Sequence, residues 1–438
     1  MQNQKALVWF RNNLRISDNK LLFKASKAHN NIIAYYNFDS NFFKKDRWGF
    51  IRTEKFRAKF LIETVKELKQ ELNNLNISLI IDNSESSDGL IKHIKNQNIK
   101  YIYYQKEWTA DEEKTEKKII DKFSDELNFI SDFDQFLFHP DDIEIKTQNI
   151  PEVFSSFRKQ IEKKVKVREC YDYPKKFQKS NLIDKDYKVP SLKDFNLQFF
   201  SINKNSAFPF KGGALSALDR INYYFWKSKK LAFYKKTRNG LLKCDYSSKL
   251  SAWLANGSIS ARQVYWEVKR FEKEILKNQS TYWLVFELMW RDYFKYISMK
   301  HKNNIFKLSG IDSENQQWKK NPEIIKSWID GKTKDPFINA NMIELKETGW
   351  MSNRGRQNVS SYLTKNLLID WRVGASYFES MLIDYDVHSN YGNWMYNSGV
   401  GNDPIKNRIF NPKLQAERYD PKKNFQNLWL NKQYEIDM

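Results

Sequence analysis

The chain has 438 residues, which is too long for one hydrophobic core and indicates two or three domains. Its two cysteines, Cys170 and Cys244, exclude a disulfide framework and a four-cysteine zinc or iron–sulfur site within the chain. The formal net charge of +21 favours a polyanionic partner, and nucleic acid leads because phosphate groups bind Lys and Arg directly. A lysine-rich surface without such a partner is the alternative.

The apolar segments of the chain are all shorter than the roughly 18 residues that a membrane-spanning helix needs. Residues 1–7 lack the order of a signal peptide, in which basic residues precede an apolar stretch. We therefore expect a cytoplasmic, or otherwise intracellular, protein with no membrane partner. We also expect it to be a monomer.

Residues 1–135 are predicted to form an α/β domain. Runs of β-branched and aromatic residues predict buried strands at residues 6–10, 31–37, 78–81 and 100–104. Helical patterns lie between them, and the clearest, over residues 54–72, places apolar side chains such as Phe60, Val65 and Leu68 on one face. This alternation predicts a doubly wound parallel sheet. No G-x-G-x-x-G motif follows the first strand, which argues against a dinucleotide site there.

Residues 136–211 show no lasting periodicity, and prolines, lysines and isolated aromatic residues alternate along them. A connector of this length is unusual unless it bridges two domains. We therefore predict an irregular connector that runs over the surface between two domains.

Residues 212–438 are predicted to form an all-helical domain with functional loops. Eleven of the 14 tryptophans follow residue 220, which by itself indicates only large core side chains. Polar residues, however, interrupt the helices at four places. The first is the hydroxyl cluster at residues 245–251, before an apolar run, which could cap a helix or hold a phosphate.

The second polar segment places Glu287 and Arg291 on one helical face among apolar neighbours. A carboxylate in apolar surroundings is costly and frequently functional, although a simple ion pair between residues four apart is the alternative. The third segment, residues 349–358, brings Asn353 together with Arg356 or Gln357 on one face, if it is helical.

The fourth polar segment, residues 382–394, crowds acids, amides and a glycine into one loop. Asp384, Asp386 and His388 could ligate a metal, but no second cluster of His or Glu completes such a site. We predict no metal.

These segments resemble the DNA photolyase and cryptochrome family over essentially the whole chain. The segment VWFRNNLRISDN at residues 8–19 resembles the opening strand and turn of the family. WMSNRGRQN at residues 350–358, DWR at 370–372 and NYGNWMY at 390–396 resemble its cryptochrome DASH branch. Met395 stands where DASH proteins usually have Gln, and residues 251–262 lack the family's prolines.

The resemblance implies FAD in a bent conformation inside the helical domain, residues 212–438, with an antenna-binding domain at residues 1–135. The implied FAD contacts are Tyr234, Ser247, Ser248, Leu250, Ser251, Arg291, Asn353, Arg356, Asp384, Asp386 and Asn390. Of these, Tyr234 and the residues from Ser247 to Ser251 would hold the diphosphate, and Asn390 would face flavin N5, which tunes the redox state of the flavin.

The implied reaction is the blue-light-dependent repair of cyclobutane pyrimidine dimers by electron transfer from reduced FAD. The implied catalytic residues are Glu287, Asn353 and Asn390, with Glu287 bonded to a carbonyl of the dimer. The implied substrate pocket comprises Glu287, Trp290, Gln357 and Tyr396. Gln357 and Tyr396 are DASH-type replacements that weaken stacking on the flipped dimer and favour single-stranded DNA. The paired histidines of six-four photolyases are missing from the segment that contains Ser352 and Asn353.

The resemblance also implies two further pigment-related sites. Trp394, Trp371 and Trp318 fall where the family has its electron relay from flavin to surface. Glu107 and Trp108 are the candidates for contact with an antenna, 5,10-methenyltetrahydrofolate in most DASH members. A solvated acidic start of a helix is the alternative for this segment.

Two other functions stay open at the level of sequence. One is a blue-light photoreceptor with little or no repair activity. Such receptors commonly carry long C-terminal extensions, and the given sequence stops soon after residues 424–430, which favours the enzyme. The other is a basic nucleic-acid-binding protein with a vestigial flavin, for which the dense polar loops have no explanation.

Overall fold

A computed structural model describes residues 4–85, 87–312, 317–405 and 408–431. Its N-terminal part is a sheet of five parallel strands: β1 (Ala6–Trp9), β2 (Ile32–Asn37), β3 (Leu79–Asp82), β4 (Tyr101–Gln105) and β5 (Asn128–Asp132). The spatial order is β3-β2-β1-β4-β5. The four strands predicted from sequence are confirmed to within one or two residues.

Helices cover both faces of this sheet, because successive side chains of a buried strand point to opposite sides. The intervening helices are α1 (Lys20–Ala28), α2 (Lys55–Asn74), α3 (Asp88–Asn96) and α4 (Ala110–Phe123). Ala6 and Val8 pack with α1 and α2, whereas Leu7 and Trp9 pack with α3 and α4. The predicted doubly wound α/β fold is therefore confirmed.

The fifth strand, β5, was not predicted, and its sequence explains why. It forms one edge of the sheet, and each of its residues is at least partly exposed. An edge strand pairs with one neighbour only and needs no continuous apolar run, so its pattern is weak.

The segment that follows β5 is more deeply packed than predicted. It carries the short helix α5 (Phe154–Ile161), and Phe136 and Phe157 belong to the core of the helical domain. Farther on, Phe177 and Phe195 pack against the sheet. The prediction of a surface connector is therefore wrong in this respect: the segment contributes core residues to both parts of the molecule. The proposed domain boundaries after residues 135 and 211 stay predictions.

The rest of the chain is helical, as predicted. The first helices are α6 (Ala214–Ile221), α7 (Tyr234–Thr237), α8 (Ser251–Asn256), α9 (Ala261–Glu274), α10 (Gln279–His301) and α11 (Pro322–Ile329). The later ones are α12 (Pro336–Thr348), α13 (Asn353–Ser361), α14 (Trp371–Met381), α15 (Val387–Ser398), α16 (Pro412–Tyr419) and α17 (Asn424–Leu430).

The long helix α10 lies centrally in this domain. Asn278 caps its first turn by accepting hydrogen bonds from the backbone N–H groups of Ser280 and Thr281. Packing against both α7 and α15 places Glu287 and Arg291 between the segments that carry the other polar motifs. Within the described residues, no helix is both long enough and apolar enough to cross a membrane.

Candidate functional site: a charged cavity in the helical domain

The helical domain encloses a cavity of about 260 Å³ that adjoins a smaller one of about 90 Å³. The two share five lining residues: Asn353, Arg356, Asp384, Asp386 and Ser389. All eleven residues predicted to contact FAD line one or both cavities. Segments separated by more than 100 residues in sequence therefore meet around one space.

The hydroxyl-rich loop before α8 is fixed from behind by Arg220, a buried residue of α6. Its guanidinium donates hydrogen bonds to the carbonyl oxygens of Ser247 and Ser248, at 2.9 and 3.0 Å, and pairs with Asp245 at 2.8 Å. Ser247 and Ser248 themselves line the cavity. Sequence reasoning missed Arg220, which lies some 25 residues from the loop and carries no motif of its own.

A largely buried ion pair joins two of the predicted segments at the boundary between the cavities. The guanidinium of Arg356 lies 2.9 and 3.0 Å from the two carboxylate oxygens of Asp384. The hydroxyl of Ser251 donates to the same carboxylate at 2.7 Å. The three side chains hold one another in place, which is the preorganisation that a cofactor site needs.

Asp386 is the second acid of this region, and it is paired on the opposite side. Its carboxylate caps α15 through the backbone N–H of Ser389, at 2.8 Å, and lies 3.0 Å from the ammonium of Lys295. Burial opposes ionisation of Asp386, but the positive charges of Lys295 and Arg291 outweigh burial and hold its pKa well below the usual range.

Arg291 keeps its place through backbone carbonyls rather than through an acid. It donates to the carbonyl oxygens of Gln135, at 2.7 Å, and Leu254, at 2.9 Å. The predicted alternative, a simple ion pair with Glu287 four residues earlier, is not what the structure contains.

Glu287 instead pairs with Arg238, whose guanidinium lies 2.8 Å from its carboxylate. Both side chains line the cavity and remain partly exposed to solvent. Burial raises the pKa of Glu287, although Arg238 and the indole of Trp283 lower it in part. Glu287 therefore holds a proton to higher pH than an ordinary glutamate.

A buried lysine, Lys249, also lines the cavity, and sequence reasoning did not single it out. Its ammonium lies 3.3 Å from the ring centroid of Tyr246 but has no hydrogen-bond partner among the described residues. Burial lowers its pKa well below the usual value. An unpaired buried ammonium is costly, so a negatively charged ligand would stabilise it. This observation shows that the cavity fits a cofactor with a diphosphate group.

A buried acid, Glu344, lies within the electrostatic influence of Lys249. Burial raises the pKa of Glu344 to about 8, and the opposing effects of Lys249 and Arg356 do not cancel the rise. Burial therefore favours the neutral form of Glu344 beside the cavity.

The smaller cavity contains the two remaining predicted amides. Asn390 is buried, and its side-chain N–H donates to the carbonyl oxygen of Ala375 at 2.9 Å, so its amide orientation is fixed. Gln357 also lines this cavity, and its side-chain oxygen has no hydrogen-bond partner among the described residues. Asn353 lies at the exposed start of α13, between the two cavities.

Trp290 and Tyr396 are in contact but do not line either cavity. Their ring centroids are 6.0 Å apart in an edge-to-face arrangement, and Trp290 stacks on Phe154 at 3.8 Å. Trp290 lies three residues after Glu287 on α10, and the aromatic pair lies beside the enclosed space rather than within it.

The three predicted relay tryptophans belong to one packed cluster. Trp394 is buried and lines the smaller cavity, and its ring fits against Gly374, where a side chain would collide with it. Trp371 lies one helical turn before Gly374 and donates its indole N–H to the carbonyl of Leu308 at 2.9 Å. Trp318 packs half-buried against the same cluster.

A separate cleft of about 490 Å³ lies between the carboxyl edge of the sheet and the helical domain. Glu107 lines it and accepts a hydrogen bond from Gln105 at 2.7 Å. Burial raises the pKa of Glu107 despite the positive charges of Arg11 and Lys295. Arg291 and Asp386 line both this cleft and the larger cavity, so the two sites share a wall.

The structure does not support Trp108 as a contact in this cleft. Its ring stacks on His388, with centroids 4.6 Å apart, and on Phe136 at 5.5 Å. Its indole N–H donates to the hydroxyl of Ser298 at 2.7 Å. The side chain of Trp108 therefore packs in the core behind the cleft. Its position next to Glu107 in the sequence could not reveal this placement.

Family models and the sequence of a relative both match this chain. Residues 6–178 match the family model described as DNA photolyase, and residues 283–437 match that of the FAD binding domain of DNA photolyase. A cryptochrome DASH of Gloeobacter violaceus is 41% identical over 431 residues, covering 98% of this chain and 86% of that protein.

Solved structures give the same result. The crystal structure of a Synechocystis cryptochrome superposes with a TM-score of 0.94 at 39% identity, covering 98% of this chain and 89% of that one. A class III photolyase from Agrobacterium tumefaciens superposes with a TM-score of 0.83 at 25% identity, covering 98% of this chain and 87% of that one. The chain belongs to the photolyase and cryptochrome family, on its cryptochrome DASH branch, and its helical part is an FAD-binding domain.

Proposed function

We propose that this protein repairs cyclobutane pyrimidine dimers in DNA under blue light, chiefly in single-stranded DNA. The observation that carries the proposal is the position of Glu287, which lines a cavity suited to FAD and still reaches solvent, and whose pKa is raised by burial. A base flipped out of a DNA strand could therefore reach Glu287 from the solvent side.

FAD, when bound, supplies light-driven electron donation to the dimer. Around it, Lys249 and the hydroxyls of Ser247 and Ser248 would hold the diphosphate, and the Arg356–Asp384 pair would fix the centre of the cofactor. Asn390, with its N–H groups oriented by the carbonyl of Ala375, would present a fixed amide to the flavin edge. Asn353 would lie between cofactor and substrate.

Glu287 would stabilise the negative charge that develops on the dimer. A carboxyl group can donate a hydrogen bond to a base carbonyl only while it is protonated, and burial favours that form. Arg238, paired with Glu287, is placed to contact a neighbouring phosphate of the strand.

The side chains around the substrate would stack only weakly on its bases, and this explains the preference for single-stranded DNA. Gln357 offers a polar edge, and the Trp290–Tyr396 pair lies beside the cavity rather than within it. Flipping a dimer out of a duplex costs a few kcal/mol that stacking must offset, whereas a single strand avoids much of that cost. Weak stacking therefore limits duplex repair first.

The test is to illuminate reduced protein with an oligothymidine that contains one dimer and to quantify restored thymines. We expect repair by the unaltered protein and a loss of roughly tenfold or more in Glu287→Gln, from removal of one charge-stabilising donor. Glu162→Gln is a matched control, because Glu162 also pairs with an arginine at 2.8 Å and is similarly exposed. Absence of repair by flavin-loaded, reduced, unaltered protein would refute the proposal.

We further propose that the cleft beside the sheet holds an antenna, 5,10-methenyltetrahydrofolate, with Glu107 bonded to its pterin ring. The cleft volume suits a ligand of this size, and a carboxyl group can pair with a ring that carries adjacent N–H groups. A shared wall with the flavin cavity would keep antenna and flavin close.

A blue-light photoreceptor is the second candidate, and the relay cluster is compatible with it. Photoreduction through Trp394, Trp371 and Trp318 would serve a receptor as well as an enzyme, since it needs only closely packed oxidisable rings. If Trp394→Phe abolished a light response in cells while repair by chemically reduced protein persisted, the receptor function would gain support.

A further inference from the structure

An apolar groove of about 410 Å³ lies between the helical domain and the segment after β2, away from the cavities described above. Its floor is formed by Trp48 and Phe50, from the segment after β2, and by Ile325, Ile329 and Val373 from α11 and α14. We call it the basic groove because of the charges around it. Its volume lies within the range that small planar ligands occupy.

Three cations at the rim of the basic groove have no ion-pair partner among the described residues: Arg47, Lys319 and Lys320. The other charged lining residues are compensated, because Lys326 pairs with Asp330 at 2.9 Å and Asp370 pairs with Arg372 at 2.7 Å. Arg47 lies over the ring of Trp48, 4.9 Å from its centroid, which leaves the exposed Lys319 and Lys320 as the other two cations of the rim. An apolar floor beneath these positive charges is complementary to an aromatic ring that carries a phosphate.

Packed aromatic rings connect the basic groove with the tryptophan next to the flavin cavity. Phe50, in the floor, contacts Tyr377 with ring centroids 5.4 Å apart, and Tyr377 contacts Trp328 at 5.9 Å. Trp328 in turn contacts Trp394 at 6.3 Å. Both Tyr377 and Trp328 are buried.

The proposed relay itself also ends beside the groove. Trp318 immediately precedes the rim residues Lys319 and Lys320, and the backbone of Lys319 pairs with that of Ile369. Asp370 and Val373 line the groove on either side of Trp371 in sequence. A molecule bound in the groove would therefore lie next to the outer tryptophans of the relay.

We propose that the basic groove binds a reduced flavin mononucleotide, or a dihydroflavin phosphate of the same chemistry, which restores the oxidised relay. The inference rests on the proposed relay function. After photoreduction, the outer tryptophan lacks one electron and has lost its indole proton. The dihydroflavin gives it one electron and one proton, so the indole N–H is restored and the donor is left oxidised by one electron.

Binding is tested first, without light. Anaerobic equilibrium dialysis of the FAD-loaded protein against reduced flavin mononucleotide is expected to show one additional site, weakened about tenfold or more in Lys319→Glu/Lys320→Glu. Lys117→Glu/Lys122→Glu changes the net charge equally at two exposed lysines of α4 and should leave binding intact. No additional site, or equal weakening in both double variants, would overturn the proposal.

Function is tested by laser-flash absorption, which follows the decay of the tryptophan radical as reduced flavin mononucleotide is added. The decay rate should saturate in the unaltered protein and rise linearly in Lys319→Glu/Lys320→Glu. Reduced lumiflavin, which lacks the phosphate, should give a linear rise in both. Linear dependence in the unaltered protein would overturn the groove proposal, whereas absence of any tryptophan radical would instead overturn the relay.

Discussion

The flavin cavity and the cleft beside the sheet differ in how their polar groups are held. In the cavity, Arg356, Asp384 and Ser251 bond to one another. In the cleft, Glu107 has one side-chain hydrogen-bond partner among the described residues, Gln105, two residues away. The cavity is thus assembled by long-range contacts within one domain, while the cleft depends on how two parts of the molecule meet. Substitutions should therefore affect cofactor retention far more in the cavity than in the cleft.

The largest effect is expected from Asp384→Asn, which leaves Arg356 without its charged partner. Removing one member of a largely buried ion pair commonly costs about 3 kcal/mol or more, which corresponds to FAD binding weakened on the order of 100-fold. The ratio of flavin to protein absorbance after gel filtration measures this. Asp330→Asn, which breaks pairs with two exposed lysines, is the control and should retain FAD.

Trp394→Phe is expected to slow photoreduction of FAD by roughly tenfold or more while leaving FAD content unchanged, since phenylalanine fills most of the space but is far harder to oxidise. The rate of flavin bleaching under blue light with a thiol donor measures this. Trp429→Phe removes a tryptophan that is equally buried but packs with α12, in a different cluster. Equal slowing in both variants would contradict the relay.

Glu107→Gln should weaken folate binding by about tenfold, because one hydrogen bond to a charged or polarised ring is worth about 1.5 kcal/mol. Folate released on denaturation, compared with FAD released from the same sample, is the measurement. FAD content should not change. Loss of both pigments together would mean that Glu107 supports the fold rather than the cleft.

The smallest effect concerns stability and pH. Burial raises the pKa of Glu344 in the folded protein to about 8, above its ordinary value of 4.5. Its contribution to the free energy of unfolding therefore falls as pH rises between these two values and is constant below and above them. We therefore expect the melting temperature of flavin-free Glu344→Gln to rise relative to unaltered protein from pH 5 to pH 8, by a few degrees. A difference that stays constant with pH would contradict the buried position of this acid.

The same comparison explains what could be predicted from sequence. Contiguous motifs identified the cavity because residues such as Asn353 and Arg356 lie close together on one helix. Arg220, Lys249 and Glu344 were missed, since their importance comes from burial and from partners distant in sequence. Strand β5 was missed because an edge strand needs little apolar surface. Trp108 was assigned to the cleft because proximity in sequence does not reveal which way a side chain points.

The central claim is that light drives an electron from the flavin cavity into a dimer held at Glu287. The most direct measurement is the excited-state lifetime of reduced, FAD-loaded protein, with single-stranded oligothymidine that carries one dimer and with undamaged oligothymidine. The proposal predicts a shorter lifetime with the dimer, together with restored thymines, and no shortening with undamaged strands. An unchanged lifetime while the dimer strand is demonstrably bound would contradict it.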